Sequence, residues 1–171
     1  MSSYLITHAR IGTLLVTVML VGCVTTPQTR DELKTTMKEH PSLSIADSYT
    51  TNRPFEEVVG MLERKWKECY SVRNTTTRTE GGMTKSKISD TYHPKSHKVN
   101  NSLVEMTLQM TTEGATMLNK VPPGGEYRVA LDIVRLAGNK TKLSWYSTAG
   151  WADTWEINKQ WSDGKNVACE Q

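Results

Sequence analysis

The sequence predicts an α+β domain: a curled antiparallel sheet of about five or six strands, an amphipathic helix after the first strand, and a helix that closes the chain. Three observations carry this. Phe55, Val58, Val59, Leu62, Trp66 and Cys69 recur three or four residues apart, the spacing of one buried helical face. Residues 103–111 alternate instead, with Val104, Met106, Leu108 and Met110 on one side and Glu105, Thr107 and Gln109 on the other, the pattern of a sheet with one face on a core. Trp151, Thr154, Trp155, Ile157, Asn158 and Trp161 then return to helical spacing.

The remaining elements follow in order. Residues 43–51 read as the first strand, with Leu43, Ile45, Asp47 and Tyr49 sharing a side. The first helix opens after Thr51, Asn52 and Arg53 with Pro54, whose missing N–H costs nothing there, and with Glu56 and Glu57 in the turn where the helix dipole favours acids. Threonine-rich residues 70–77, a Gly81-Gly82 turn and residues 83–92 give two further strands. Residues 127–136 and 141–148 flank Ala137-Gly138-Asn139-Lys140, a hairpin connection. Strands adjacent in sequence favour a meander. Gly164 ends or bends the closing helix, and the tail beyond it carries Cys169 back toward the first helix.

The N-terminus reads as an address. Arg10 precedes an apolar run at residues 11–21, too short for the roughly 20 apolar residues that cross a bilayer. The run ends in Leu20-Val21-Gly22-Cys23, which resembles the lipobox of bacterial lipoproteins. That resemblance implies cleavage after Gly22, leaving Cys23 as a lipidated first residue. It also implies the outer membrane, because the following residue is Val24 rather than the Asp that retains such proteins in the inner membrane. Each buried methylene contributes about 0.8 kcal/mol, so a multiply acylated cysteine is a durable anchor. The expected organisation is a signal peptide at 1–22, a polar lipidated tether at 23–41 and a single domain at 42–171.

The whole chain of 171 residues carries 21 basic and 18 acidic side chains, of which the signal segment holds one Arg and no acid. A nearly neutral mature domain without a basic, aromatic-interleaved stripe gives nucleic-acid binding little support, Lys85 and Lys87 notwithstanding. Two cysteines remain beyond the anchor, Cys69 and Cys169. An exported address makes a disulfide between them the expectation. Two free thiols are the alternative, although no Cys-x-x-Cys motif is present.

Motifs of chemistry are absent. His93 and His97 bracket Pro94 in what reads as a solvated loop, and zinc wants three or four ligands. No G-x-S-x-G elbow or phosphate loop occurs. Glu105, Asp132 and Asp153 read as solvent-facing acids. Neither catalytic residues, metal ligands nor cofactors are therefore assigned, and an enzyme is the third-ranked reading.

The order of elements, with the helix opening Asn52-Arg53-Pro54-Phe55-Glu56-Glu57-Val58, resembles the helix-grip architecture of START-like and Bet v 1-like domains. Those domains wrap a curved antiparallel sheet around a C-terminal helix, and some envelope lipoproteins use them to bind proteins. This chain departs from them in its shorter closing helix and in lacking a small extra helix after the first strand. Two functions follow as expectations. The first is a membrane-anchored protein-binding or envelope-assembly module; the alternative is a carrier or sensor of an apolar ligand or lipid. Candidate ligand or partner contacts are Met117, Leu118 and Val121, in a glycine-bounded apolar segment, with Trp151 and Trp155 on the closing helix.

Overall fold

A computed structural model describes residues 26–80, 83–114 and 124–169. In chain order the elements are α1 (Arg30–Glu39), β1 (Ser44–Thr51), α2 (Phe55–Tyr70), β2 (Arg73–Glu80), β3 (Met83–Asn100), β4 (Leu103–Glu113), β5 (Glu126–Leu136), β6 (Lys140–Thr148) and α3 (Ala152–Ser162). The six strands form one antiparallel sheet in the order β1-β6-β5-β4-β3-β2. The meander therefore runs from β2 to β6, and β1 returns to the far edge beside β6. The fold is α+β and helix-grip-like, with the sheet curled around α2 and α3.

Period-two and helical stripes meet on the inner face as their spacing requires. Phe55, Val58, Val59, Leu62, Trp66 and Cys69 of α2 are all buried, against Val104, Met106 and Leu108 of β4, Val129, Leu131 and Ile133 of β5, and Leu143 and Trp145 of β6. The turn from β5 to β6 places Gly138 at φ 71° and Asn139 at φ 57°, left-handed conformations that glycine and asparagine adopt most readily. Among the described residues no helix is long and apolar enough to cross a membrane.

The segment expected to be a tether contains an ordered helix. Thr29 caps α1, its hydroxyl accepting the Glu32 N–H at 3.1 Å, while the Glu32 carboxylate accepts the Gln28 N–H at 2.7 Å. This reciprocal arrangement satisfies backbone donors that a helix start leaves open. Leu33 and Met37, one turn apart, are 1% and 6% exposed and pack on Ala130, with Tyr127 and Tyr146 beside them. They lie on the outer face of the sheet, opposite α2 and α3. Two apolar side chains read as too few for a core element, but they need only cover a small patch whose remainder is ionic. Leu33→Ala is expected to weaken this docking by about 2–5 kcal/mol, the range for a buried leucine. The loss is limited to α1, because the main core lies across the sheet. Proteolysis near α1 should accelerate while the global unfolding midpoint moves little.

β3 is also longer than the sequence reading had it. Its 18 residues run through Pro94 and both flanking histidines, which belong to a strand and not to a loop. Pro94 pairs in register with Leu108, and its ring nitrogen faces away from β4, so no ladder hydrogen bond is lost.

The C-terminal tail is held at three points. Gly164, at φ 84°, closes α3 with its N–H on the Trp161 carbonyl at 2.9 Å, and the Lys165 N–H reaches Gln160 at 3.0 Å. The Val167 carbonyl accepts from Trp161 Nε1 at 3.0 Å and from Lys65 Nζ at 3.3 Å. Cys169 is joined to Cys69 with Cα atoms 5.4 Å apart, the expected pairing.

Candidate functional site

Four indoles pack between the inner face of the sheet, α2 and α3. Trp66, Trp145, Trp155 and Trp161 are each 2% exposed or less. Trp145 and Trp155 stack with ring centres 5.4 Å apart, and Trp66 meets Trp145 edge-on at 6.1 Å. Every one of these indole N–H groups has an acceptor. Trp66 donates to Asn158 Oδ1 at 2.7 Å, Trp145 to Ser147 Oγ at 2.7 Å, Trp155 to Asp47 Oδ2 at 2.8 Å, and Trp161 to the Val167 carbonyl. A buried indole N–H needs such a partner.

Trp155, expected as a ligand or partner contact, is 2% exposed and packs in the core. Trp151, at the 3-10 turn before α3, is half-buried and meets Tyr92 edge-on at 5.8 Å. Met117, Leu118 and Val121 lie outside the described residues, as does Cys23.

Two of the acids that the sequence singled out, Glu105 and Asp132, serve the docking of α1. Glu105 and Asp132 stand opposite each other on β4 and β5. Arg30 pairs with Glu105 at 3.0 Å and with Asp132, which also receives Lys34 at 2.6 Å. Both acids, expected to face solvent, are part-buried and ion-paired. Burial lowers the Lys34 ammonium pKa, the neighbouring Arg30 charge adds to this, and Glu105 opposes it. Asp153 is exposed. A hydrogen bond to Asp163 at 2.7 Å raises the Tyr49 phenol, whereas burial raises Tyr92. His93 Nε2 lies 2.9 Å from Thr111 Oγ1. Four residues along a strand separate His93 from His97 by about 13 Å, too far to share an ion. Among the described residues no group of three or more His, Cys, Asp or Glu is placed to hold a metal.

A cleft of about 310 Å³ opens between α2 and the start of the bare part of β3. Glu63 and Lys67 line its helical side, Pro94 and Ser96 its strand side, and Trp66 and Met106 its floor. The Ser96 hydroxyl donates to Glu63 Oε1 at 2.6 Å and ties helix to strand. The cleft exists because β2 stops short. Arg73 pairs with Thr91, the Tyr92 N–H reaches the Val72 carbonyl at 2.9 Å, and β3 then continues to Asn100 without a strand partner on that side among the described residues.

Sequence reasoning missed this feature. One signal was available: a proline inside a β-patterned run marks an edge strand as readily as a break. No protein-family model matches the chain, and no curated protein matches it significantly.

Proposed function

We propose that this chain is an exported lipoprotein, moored by Cys23 to the outer membrane, whose domain binds another protein of the cell envelope. The observation that carries the binding role is that, among the described residues, Trp66, Trp145, Trp155 and Trp161 are packed as core between the sheet and the helices. The Cys69–Cys169 bridge supports the exported address, since such bonds persist in oxidising compartments. The order of α1 adds a geometric consequence. From Cys23 to Arg30 the chain spans at most about 25 Å, so an acylated Cys23 keeps the domain close to the bilayer.

Two measurements test this reading. Cys23→Ser is expected to abolish palmitate incorporation and shift the protein from the membrane to the soluble fraction; unchanged labelling overturns the anchor. Native mass spectrometry of the purified protein is expected to show no bound lipid beyond the anchor. A stoichiometric co-purifying lipid overturns the protein-binding role.

A further inference from the structure

We propose that the bare edge of β3, residues 93–100, docks an extended segment of another protein that joins the sheet as a further strand. That segment is apolar at alternate positions and acidic at those between. This deepens the protein-binding reading above and rests on it.

The backbone supplies the first argument. In an antiparallel ladder the N–H and C=O of one residue point to the same side, and successive residues alternate. The Tyr92 N–H is turned toward Val72, away from β4. By the same alternation the Ser96 and Lys98 N–H groups, and the Pro94, Ser96 and Lys98 carbonyls, face the open side. Residues 95–100 are exposed throughout. Strand addition to such an edge derives its affinity from these groups and its selectivity from pockets for alternate side chains.

The surroundings supply the second. The cleft beside Pro94 and Ser96 receives side chains on the α2 side of an added strand. Exposed large apolar residues stand at the two ends of the bare edge: Val72 is 39% exposed where β2 begins, and Val99 is 45% exposed where β3 turns. Contacts with Pro94 and with the Trp66 and Met106 floor of the cleft favour apolar groups at the positions facing α2.

Charge selects the partner. Residues 92–101 contain His93, Lys95, His97 and Lys98 and no acid. The neighbouring carboxylates are engaged, Glu63 by Ser96 and Glu105 by Arg30. A second copy of this edge would set lysines against lysines, which disfavours self-pairing. Acids on the opposite face of an incoming strand lie beside Lys95 and the two histidines.

The test uses the full chain in detergent and a capped octapeptide of alternating valine and glutamate, with a valine and lysine counterpart. The acidic peptide is expected to slow hydrogen exchange at the Ser96 and Lys98 amides; the basic peptide is not. Ser96→Pro removes an outward donor without touching the β4 ladder and should weaken binding about tenfold. Ser96→Ala keeps that N–H while losing the Glu63 contact, and should bind within about twofold. Equal binding of the two peptides, protection elsewhere on the sheet, or a dimer that already protects these amides overturns the proposal. If Ser96→Pro does not fold, exchange in the wild-type protein decides alone. An envelope partner that still cross-links to Ser96→Pro overturns the edge site and leaves the protein-binding role intact, whereas bound lipid without any partner overturns the role itself.

Discussion

Replacing Cys69 and Cys169 together with alanine is expected to lower the stability of the domain by up to about 4.7 kcal/mol, the chain-entropy value for a closed loop of this length. The separation is 100 residues, and between the two cysteines lie β2 to β6 and α3. Opening that loop frees almost the entire sheet in the unfolded state. For a domain of this size the loss corresponds to a fall in Tm of roughly 10–15 °C. The bond also anchors the tail whose Val167 carbonyl accepts from Trp161 and Lys65, so the native state loosens at the same place. Equilibrium denaturation of the double variant, and of the wild type with and without reductant, measures both. The reduced wild type and the double variant should coincide. A midpoint unchanged by reduction would show that the packed inner face, and not the crosslink, limits unfolding.

The elements that pattern alone identifies are those with a wide apolar stripe. In α2 the six apolar positions named by their spacing are all buried, and β4 alternates as its sequence does from Leu103 to Leu108, after which a register shift leaves Gln109 buried as well. The paired cysteines were legible as well, because reading Cys23 as the anchor leaves one pairing between Cys69 and Cys169. α1 was not, since Leu33 and Met37 make a stripe two residues wide and most of its docking is ionic, through Arg30 and Lys34 to acids about 75 to 100 positions away. Those partners have no signature in local spacing. Thr29 and Glu32 did carry one, the spacing of a capping box.

The cleft was hidden for a related reason. It is assembled from residues 63–67 of α2, 94–96 of β3 and Met106 of β4, and it exists only because β2 and β3 differ in length. Periodicity indicates which face of a strand is buried, but it does not indicate how far the neighbouring strand extends. Pro94 obscured the matter further. In a central strand it would break the ladder, whereas on a bare edge its missing N–H costs no hydrogen bond.

Trp66→Ala is expected to be the most destabilising single substitution on α2, by about 5 kcal/mol or more. Truncating a buried aromatic to alanine costs about 3–5 kcal/mol through lost burial and the cavity left behind. Trp66 touches Tyr70 edge-on at 5.6 Å and Trp145 at 6.1 Å, so two further aromatic contacts go with it. Its Nε1–H is also the donor to Asn158 Oδ1, and Asn158 is fully buried. Losing that donor strands a carbonyl oxygen at a further cost of about 1–3 kcal/mol. The Asn158 amide stays fixed by the Thr154 carbonyl at 2.7 Å and Tyr70 at 3.3 Å, which prevents it from turning toward water. Trp66→Phe separates the two contributions, because it retains most of the ring contact and removes only the donor. Its expected cost is about 1–3 kcal/mol. Adding Asn158→Leu to Trp66→Phe removes the stranded oxygen, and the pair should cost less than the sum of the singles. Urea denaturation of the four proteins measures the coupling directly. Additive costs would mean that the buried hydrogen bond between α2 and α3 contributes no pairwise energy, and that ring packing alone fixes how these helices meet.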